Sequence, residues 1–145
     1  MPKASKRTVL LADDDVIVRM ALGEYLRTCG LKVLEAASGK EAKAVLQSGI
    51  DVDVVLSDAQ LAGEETGFAL AQWIRRYRPT VEVILTSTVL GKAQAASEFC
   101  ARFPTKAPYD SSGLAARIRA LAAERKRRAR PPSSTDPVPR KRRRP

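Results

Sequence analysis

The chain has 145 residues and a mass of 15.8 kDa, enough for one domain with a real core, 44% of it apolar but only 5% aromatic. It contains no histidine, which excludes Ser-His-Asp and Cys-His catalysis, a phosphohistidine relay within this chain and most zinc or haem sites. Its net charge of +10 is a property of the tail: residues 1–116 carry 14 Lys/Arg and 14 Asp/Glu, residues 117–145 carry 12 and 2.

After a polar, frayed opening over residues 1–7, apolar runs and helical patterns alternate. VLLA (9–12), VDVVLS (52–57) and VEVILTS (81–87) are short, rich in β-branched residues and almost continuously apolar. They read as strands buried on both faces, the pattern of a parallel sheet covered by helices. Leu31–Glu35 is more mixed and fits an edge strand, and a weaker fifth strand is expected around Ala101–Thr105.

The helices between them have readable ends. Asp15 caps a first helix that buries Ile17, Ala21, Leu22, Tyr25 and Leu26 and stops at Gly30. Ser38 and Glu41 have capping-box spacing ahead of a second, which Gly49 ends. A third is expected over Gly67–Arg78, with Leu70, Ala71, Ile74 and Tyr77 inward and Pro79 as terminator. A short fourth segment lies near Lys92–Phe99. The last helix starts at Asp110 or Ser111, buries Leu114, Ile118 and Leu121, and runs into the basic stretch 124–130.

Strand and helix thus alternate five times, so the fold class is α/β, a doubly wound parallel sheet with helices on both faces. In such sheets ligands bind beyond the carboxyl ends of the strands. Those ends carry Asp13-Asp14-Asp15, Asp58, Ser87 and Lys106. A lone Asp at a strand end is more often a turn or cap residue, the role given to Asp15. Several carboxylates crowded at one edge repel one another, and an all-oxygen set without His or Cys suits a hard cation such as Mg²⁺. A lysine and a hydroxyl opposite complete a cradle for a phosphoryl group. Cys29 and Cys100 lie far apart and form no CxxC, so they suggest neither a disulfide framework nor a metal knuckle. With no apolar run of membrane-spanning length and no signal-peptide core, a soluble cytoplasmic protein is expected.

Taken together, these motifs resemble the response-regulator receiver domain of bacterial two-component signalling over residues 8–123. LLADDDVIVR (10–19) is similar to the family's acidic-pair motif, VVLSD (54–58) to its third strand, ILTST (84–88) to its fourth and RFPTKAPY (102–109) to its fifth. The resemblance implies a flavodoxin-like sheet of five strands in the order 2-1-3-4-5. It makes Asp58 the phospho-acceptor, with Asp14, Asp58 and the backbone carbonyl of Gln60 binding Mg²⁺ directly and Asp13 acting mainly through water. Lys106 and Ser87 would hold the transferred oxygens, and Phe103 would be the rotating aromatic switch. The implied partners are a sensor histidine kinase or phosphotransfer protein and a downstream protein, with dimerisation left open. An enzyme acting on an external substrate is not implied. The chain departs from the family pattern in four places. Ala62 stands where proline is usual, GEETG (63–67) is one residue longer than the family pattern, Thr88 follows Ser87, and Ala107 separates Lys106 from Pro108. The stretch between Ser87 and Lys106 is short for a full fourth helix.

No effector module follows, so a stand-alone regulator is expected. Residues 124–145 form a basic, proline-rich tail, expected to be mostly disordered and without an apolar face for membrane insertion. Its cations fall in two clusters: Arg125, Lys126, Arg127, Arg128 and Arg130, then Arg140, Lys141, Arg142, Arg143 and Arg144. The alternatives are a solvated tail and a contact to nucleic-acid phosphates, anionic lipid or an acidic partner. The competing reading of the whole chain is a degenerate receiver used as a binding module, with this tail as its working part.

Overall fold

The protein is described from a computed structural model, which describes residues 6–102 and 107–129. In chain order the elements are β1 (Thr8–Ala12), α1 (Val16–Thr28), β2 (Lys32–Ala36), α2 (Gly39–Gln47) and β3 (Val54–Asp58). They continue with α3 (Gly67–Tyr77), β4 (Glu82–Thr86), α4 (Val89–Ala101) and α5 (Ser111–Ala129). The strands form one parallel sheet in the order β2-β1-β3-β4. The chain leaves β1 toward β2 on one side and returns to place β3 on the other. The crevice of this switch point therefore opens at the carboxyl ends of β1 and β3.

Strand alternation divides the core in two. Val9, Leu11, Val33, Val54 and Leu56 face α1, α4 and α5, packing with Leu22, Leu26, Ala96, Phe99, Leu114 and Ile118. Leu10, Ala12, Ala36 and Val55 face α2 and α3, packing with Ala42, Leu46, Leu70 and Ile74. Each fully buried Leu or Ile contributes about 1.5–3 kcal/mol. Aliphatic side chains fill both layers, as the low aromatic content requires.

Local signals set most boundaries. Asp15 accepts hydrogen bonds from the N–H groups of Ile17 and Val18, and Ser38 from that of Glu41. The Glu41 carboxylate reaches back to the N–H of Ala37, one residue before the cap. Gly30 and Gly49, both with φ of 91°, take the left-handed backbone that ends α1 and α2. Thr66 caps α3, which stops at Tyr77, two residues before Pro79. Tyr77 does not point inward as expected: it is 51% exposed and lies against Trp73 with the Arg76 guanidinium over its ring.

The largest differences from expectation follow β4. The fourth helix is not a fragment but has 13 residues, capped by Thr88 through the Gly91 N–H. It absorbs Ala101, the first residue of the expected fifth strand, because its buried stripe of Ala93, Ala96, Phe99 and Cys100 packs on α1 and α5. The remaining residues expected in that strand include Phe103–Thr105, outside the described residues. Among the described residues the sheet has four strands. Cys29 and Cys100 form a disulfide tying the end of α1 to the end of α4, which their separation of 71 residues concealed. Finally, α5 continues to Ala129, so the first basic cluster begins on a helix rather than in an irregular tail.

Candidate functional site

The same alternation that builds the core builds the site. Asp13 continues the series Val9 and Leu11, Asp58 the series Val54 and Leu56, and Thr86 the series Glu82 and Ile84. Each is the next residue, at or just beyond the strand's carboxyl end, on the side covered by α1, α4 and α5. Asp58 lies beside Thr86 in the sheet register.

Carboxylate oxygens of Asp13, Asp14 and Asp58 all lie within 4.8 Å of one another. Asp13 is buried, Asp58 half-buried and Asp14 exposed. Backbone amides fix two of the three: the Asp15 N–H donates to Asp13 Oδ1 at 2.9 Å, and the Gln60 N–H to Asp58 Oδ1 at 2.9 Å. Glycine brings the next helix close behind them. A Cβ on Gly67 would stand 2.1 Å from the carbonyl oxygen of Asp58, and the Gly67 N–H donates to the Ala59 carbonyl at 3.1 Å.

Lys92, in the first turn of α4, completes the cluster. Its ammonium donates to Asp58 Oδ2 at 3.0 Å and lies 2.7 Å from Asp13 Oδ2, and its side chain is 8% exposed. Burial pushes the Asp13 carboxyl above its ordinary pKa, against the opposing pull of Lys92 and the Asp15 amide. For Lys92 burial acts downward, but the hydrogen bonds and charges of Asp13 and Asp58 outweigh it and leave the ammonium above its ordinary value. Three carboxylates and one ammonium leave a formal deficit of two positive charges, which one divalent cation satisfies. The donors are all oxygen, and Asp14 and Asp58 remain open to solvent, so the residues fit Mg²⁺.

Of the residues singled out in the sequence, Asp13, Asp14 and Asp58 are thus brought together, with Gln60 against Asp58 through its amide. Ser87 lies one residue beyond β4, exposed, in the turn before the Thr88 cap. Lys106 and Phe103 lie outside the described residues, as do Arg130, Arg140, Lys141, Arg142, Arg143 and Arg144. Arg125, Lys126, Arg127 and Arg128 are exposed on the last turns of α5. Sequence reasoning missed Lys92, Thr86 and the packing role of Gly67. A signal existed for Lys92: it occupies a stripe position, four residues before Ala96 and seven before Phe99, on a helix whose other stripe residues are apolar.

Comparison with known proteins agrees with this geometry. Residues 9–101 match the response regulator receiver domain family. The chain is 30% identical over 137 residues to the phosphate regulon transcriptional regulatory protein PhoB of Pseudomonas aeruginosa, covering 91% of this chain and 57% of that protein. It is 38% identical over 81 residues to the sensor kinase CckA of Brucella abortus, covering 55% of this chain and 8% of that one. The chain therefore spans under two thirds of the length of these curated relatives. Among solved structures, a response regulator receiver domain protein from Clostridium thermocellum superposes with a TM-score of 0.53 at 22% identity, covering 83% of this chain and 97% of that one. The chemotaxis response regulator CheY4 of Vibrio cholerae gives 0.52 at 23%, covering 82% and 98%. At these identities the structures speak for the fold. Family match, fold and acidic edge agree: the chain belongs to the response regulator receiver domain family.

Proposed function

We propose that Asp58 accepts a phosphoryl group, in a Mg²⁺-dependent reaction, from the phosphohistidine of a sensor histidine kinase or phosphotransfer protein, and that this switches a protein-interaction surface. The observation that carries the reading is the acidic triad, with a half-buried Asp58 as one of its three members. In the transfer an Asp58 carboxylate oxygen bonds to phosphorus as the phosphorus–nitrogen bond of the donor breaks. The electron pair leaves with the imidazole nitrogen, which takes up a proton, and an acyl phosphate remains on Asp58. Asp13, Asp14, Asp58 and the Gln60 carbonyl would hold the Mg²⁺. Bound there, the ion neutralises charge on the phosphoryl oxygens.

The chain's own residues orient the nucleophile. The Gln60 amide occupies Asp58 Oδ1, and the close seat of Gly67 against the Asp58 backbone holds the end of β3 in place. These 145 residues contain no histidine, so in this reading the donor phosphohistidine lies outside them. No helix among the described residues is long and apolar enough to cross a membrane, and the proposed setting is the cytoplasm. The work of the protein in this reading is signalling, without turnover of an external substrate.

Incubation with acetyl phosphate and Mg²⁺ should retard the protein on a phosphate-affinity gel, and Asp58→Asn should abolish the retardation. A wild-type protein that neither shifts on the gel nor changes its amide spectrum with beryllofluoride would refute the reading.

A further inference from the structure

We propose that the end of α5 is a binding surface for the phosphate backbone of a DNA duplex. The surface lies outside the acidic site and does not depend on phosphorylation of Asp58.

Three observations carry it. First, α5 outlasts its packing. Its last fully buried side chain is Ile118 and its last core contact Leu121, yet the helix continues to Ala129. About two turns beyond Ile118 the same stripe falls on Arg125, so the inward face changes from apolar to cationic. Second, the cations are exposed and mostly unpaired. Arg119, Arg125, Lys126, Arg127 and Arg128 all face solvent. Glu124, the one acidic residue on the helix, is paired with Arg128 at 2.7 Å. Among the described residues no ion pair reaches Arg119, Arg125, Lys126 or Arg127. A helix C-terminus accommodates a cation or two through its dipole, but four in succession repel one another and call for a polyanion. Third, the helix is anchored. Near its start the Tyr25 hydroxyl donates to the Tyr109 carbonyl and Arg117 pairs with Glu24 at 3.0 Å. Its end lies along the first turn of α1, where Ile17 shares a groove with Leu121, Arg125 and Arg128. Thus α5 runs back along α1 and presents its cations from a fixed ledge, which lowers the ordering cost of binding.

The pattern selects among polyanions. Four successive residues at about 100° intervals surround the helix axis, so phosphates can be met on opposite sides at once. A helix about 10–12 Å across fits the DNA major groove, about 12 Å wide, with phosphates on either side, whereas the RNA major groove is too narrow. Three of the four are arginines, whose planar fork matches phosphate oxygens. No Phe, Tyr or Trp follows Tyr109, so the stacking that holds single strands is missing. Residues 122–129 include no large apolar side chain to enter a lipid surface.

The test is fluorescence anisotropy of a short labelled DNA duplex titrated with the full chain. Affinity should fall steeply with salt, log K losing about 0.9 per tenfold rise for each phosphate contact. Replacing Arg125, Lys126, Arg127 and Arg128 together by Gln, a good helix former, should weaken binding about tenfold or more at about 0.1 M salt and flatten that slope. Removing the same charge from exposed positions on the body, with Lys6→Gln, Lys32→Gln, Lys40→Gln and Arg75→Gln together, should cost less than about threefold, because cations away from the contact are screened. Should the α5 variant lose helix by circular dichroism, amide spectra of the wild type decide: the duplex must move the signals of residues 119–129, and shifts confined elsewhere overturn the proposal. It is equally overturned by a wild type that binds no duplex at low salt, or by an α5 variant that binds within threefold of it. Equal losses in the two variants, or tighter binding of a single strand, an RNA duplex or anionic vesicles than of the DNA duplex, also overturn it.

Discussion

The two faces of the sheet are built by different kinds of information. On the α2/α3 face each helix starts at its own cap, Ser38 or Thr66, and ends at a local stop, Gly49 or the approach to Pro79. Its packing is a plain interdigitation of Leu10, Val55, Leu46, Leu70 and Ile74. The α1/α4/α5 face is held by contacts between residues far apart in sequence. Lys92 reaches Asp13 and Asp58, Cys100 bonds Cys29, and the Tyr25 hydroxyl donates to the Tyr109 carbonyl at 2.7 Å. The acidic site sits on that second face. In the proposed reading a ligand there would act on the elements whose placement depends on long-range contacts, with the other face as their base.

Removing the covalent tie breaks the contrast most severely. Closing a loop between residues 71 apart is worth about 4 kcal/mol in the chain-entropy account of disulfides. Replacing both cysteines by alanine should therefore lower unfolding stability by about that amount. The loss should appear first as faster amide exchange in α4 and the end of α1, with α2 and α3 protected to the global limit. Urea titration with exchange read by mass spectrometry checks both. Uniform loss of protection across the two faces would show that they are one cooperative unit.

The second disturbance comes from the fixed base. Gly67→Ala puts a methyl group 2.1 Å from the Asp58 carbonyl oxygen and 2.7 Å from Ala59 Cα, both backbone atoms that cannot swing away. It should cost about 1–3 kcal/mol and slow acetyl-phosphate labelling, because the strain falls on the proposed acceptor, Asp58. Gly49→Ala is the control. Its φ of 91° makes the substitution costly by about 1–2 kcal/mol, but nothing lies within 4 Å, and labelling should stay at the wild-type rate. Equal labelling rates in the two variants would detach Gly67 from the site.

What can be read from the sequence follows the range of each contact rather than the face it lies on. Asp15, Ser38 and Gly49 announce their structures within four residues, and the apolar strands with their acidic ends follow from their short, almost continuously apolar runs alone. A helical stripe misplaces Tyr77 because it does not say how wide the covered face is; here it ends at Ile74 and leaves the Tyr77 ring tilted against Trp73. The extent of α4 was missed because Ala93, Ala96 and Cys100 are too small to mark a strong apolar periodicity. Only the partners across the fold make them core. Lys92 was overlooked for a related reason. A lysine in a helix is normally solvated, and its burial becomes intelligible only when two carboxylates from different strands are seen to meet it.

The smallest expected effect separates the pocket's own charge from the metal it fits. Burial holds the Asp13 pKa above the ordinary carboxylate value of 3.8, so protons compete with Mg²⁺ at higher pH than they would for an exposed acid. Affinity should fall as pH drops through that pKa, by at most about tenfold per unit for one proton, and be flat above it. The metal-free protein should show the opposite sign. A carboxyl with a raised folded pKa contributes stability that is present below its unfolded value and lost as pH rises through the folded one. Lys92 and the Asp15 amide both pull the Asp13 pKa down, so Lys92→Met should move the fall in Mg²⁺ affinity to still higher pH, while Asp13→Asn should flatten it. Calorimetry of Mg²⁺ binding across the acidic range, alongside thermal unfolding of the metal-free protein, reads both trends. An unmoved profile in Lys92→Met would mean that the ammonium does not govern the acidic edge, and that α4 is joined to the site by packing alone.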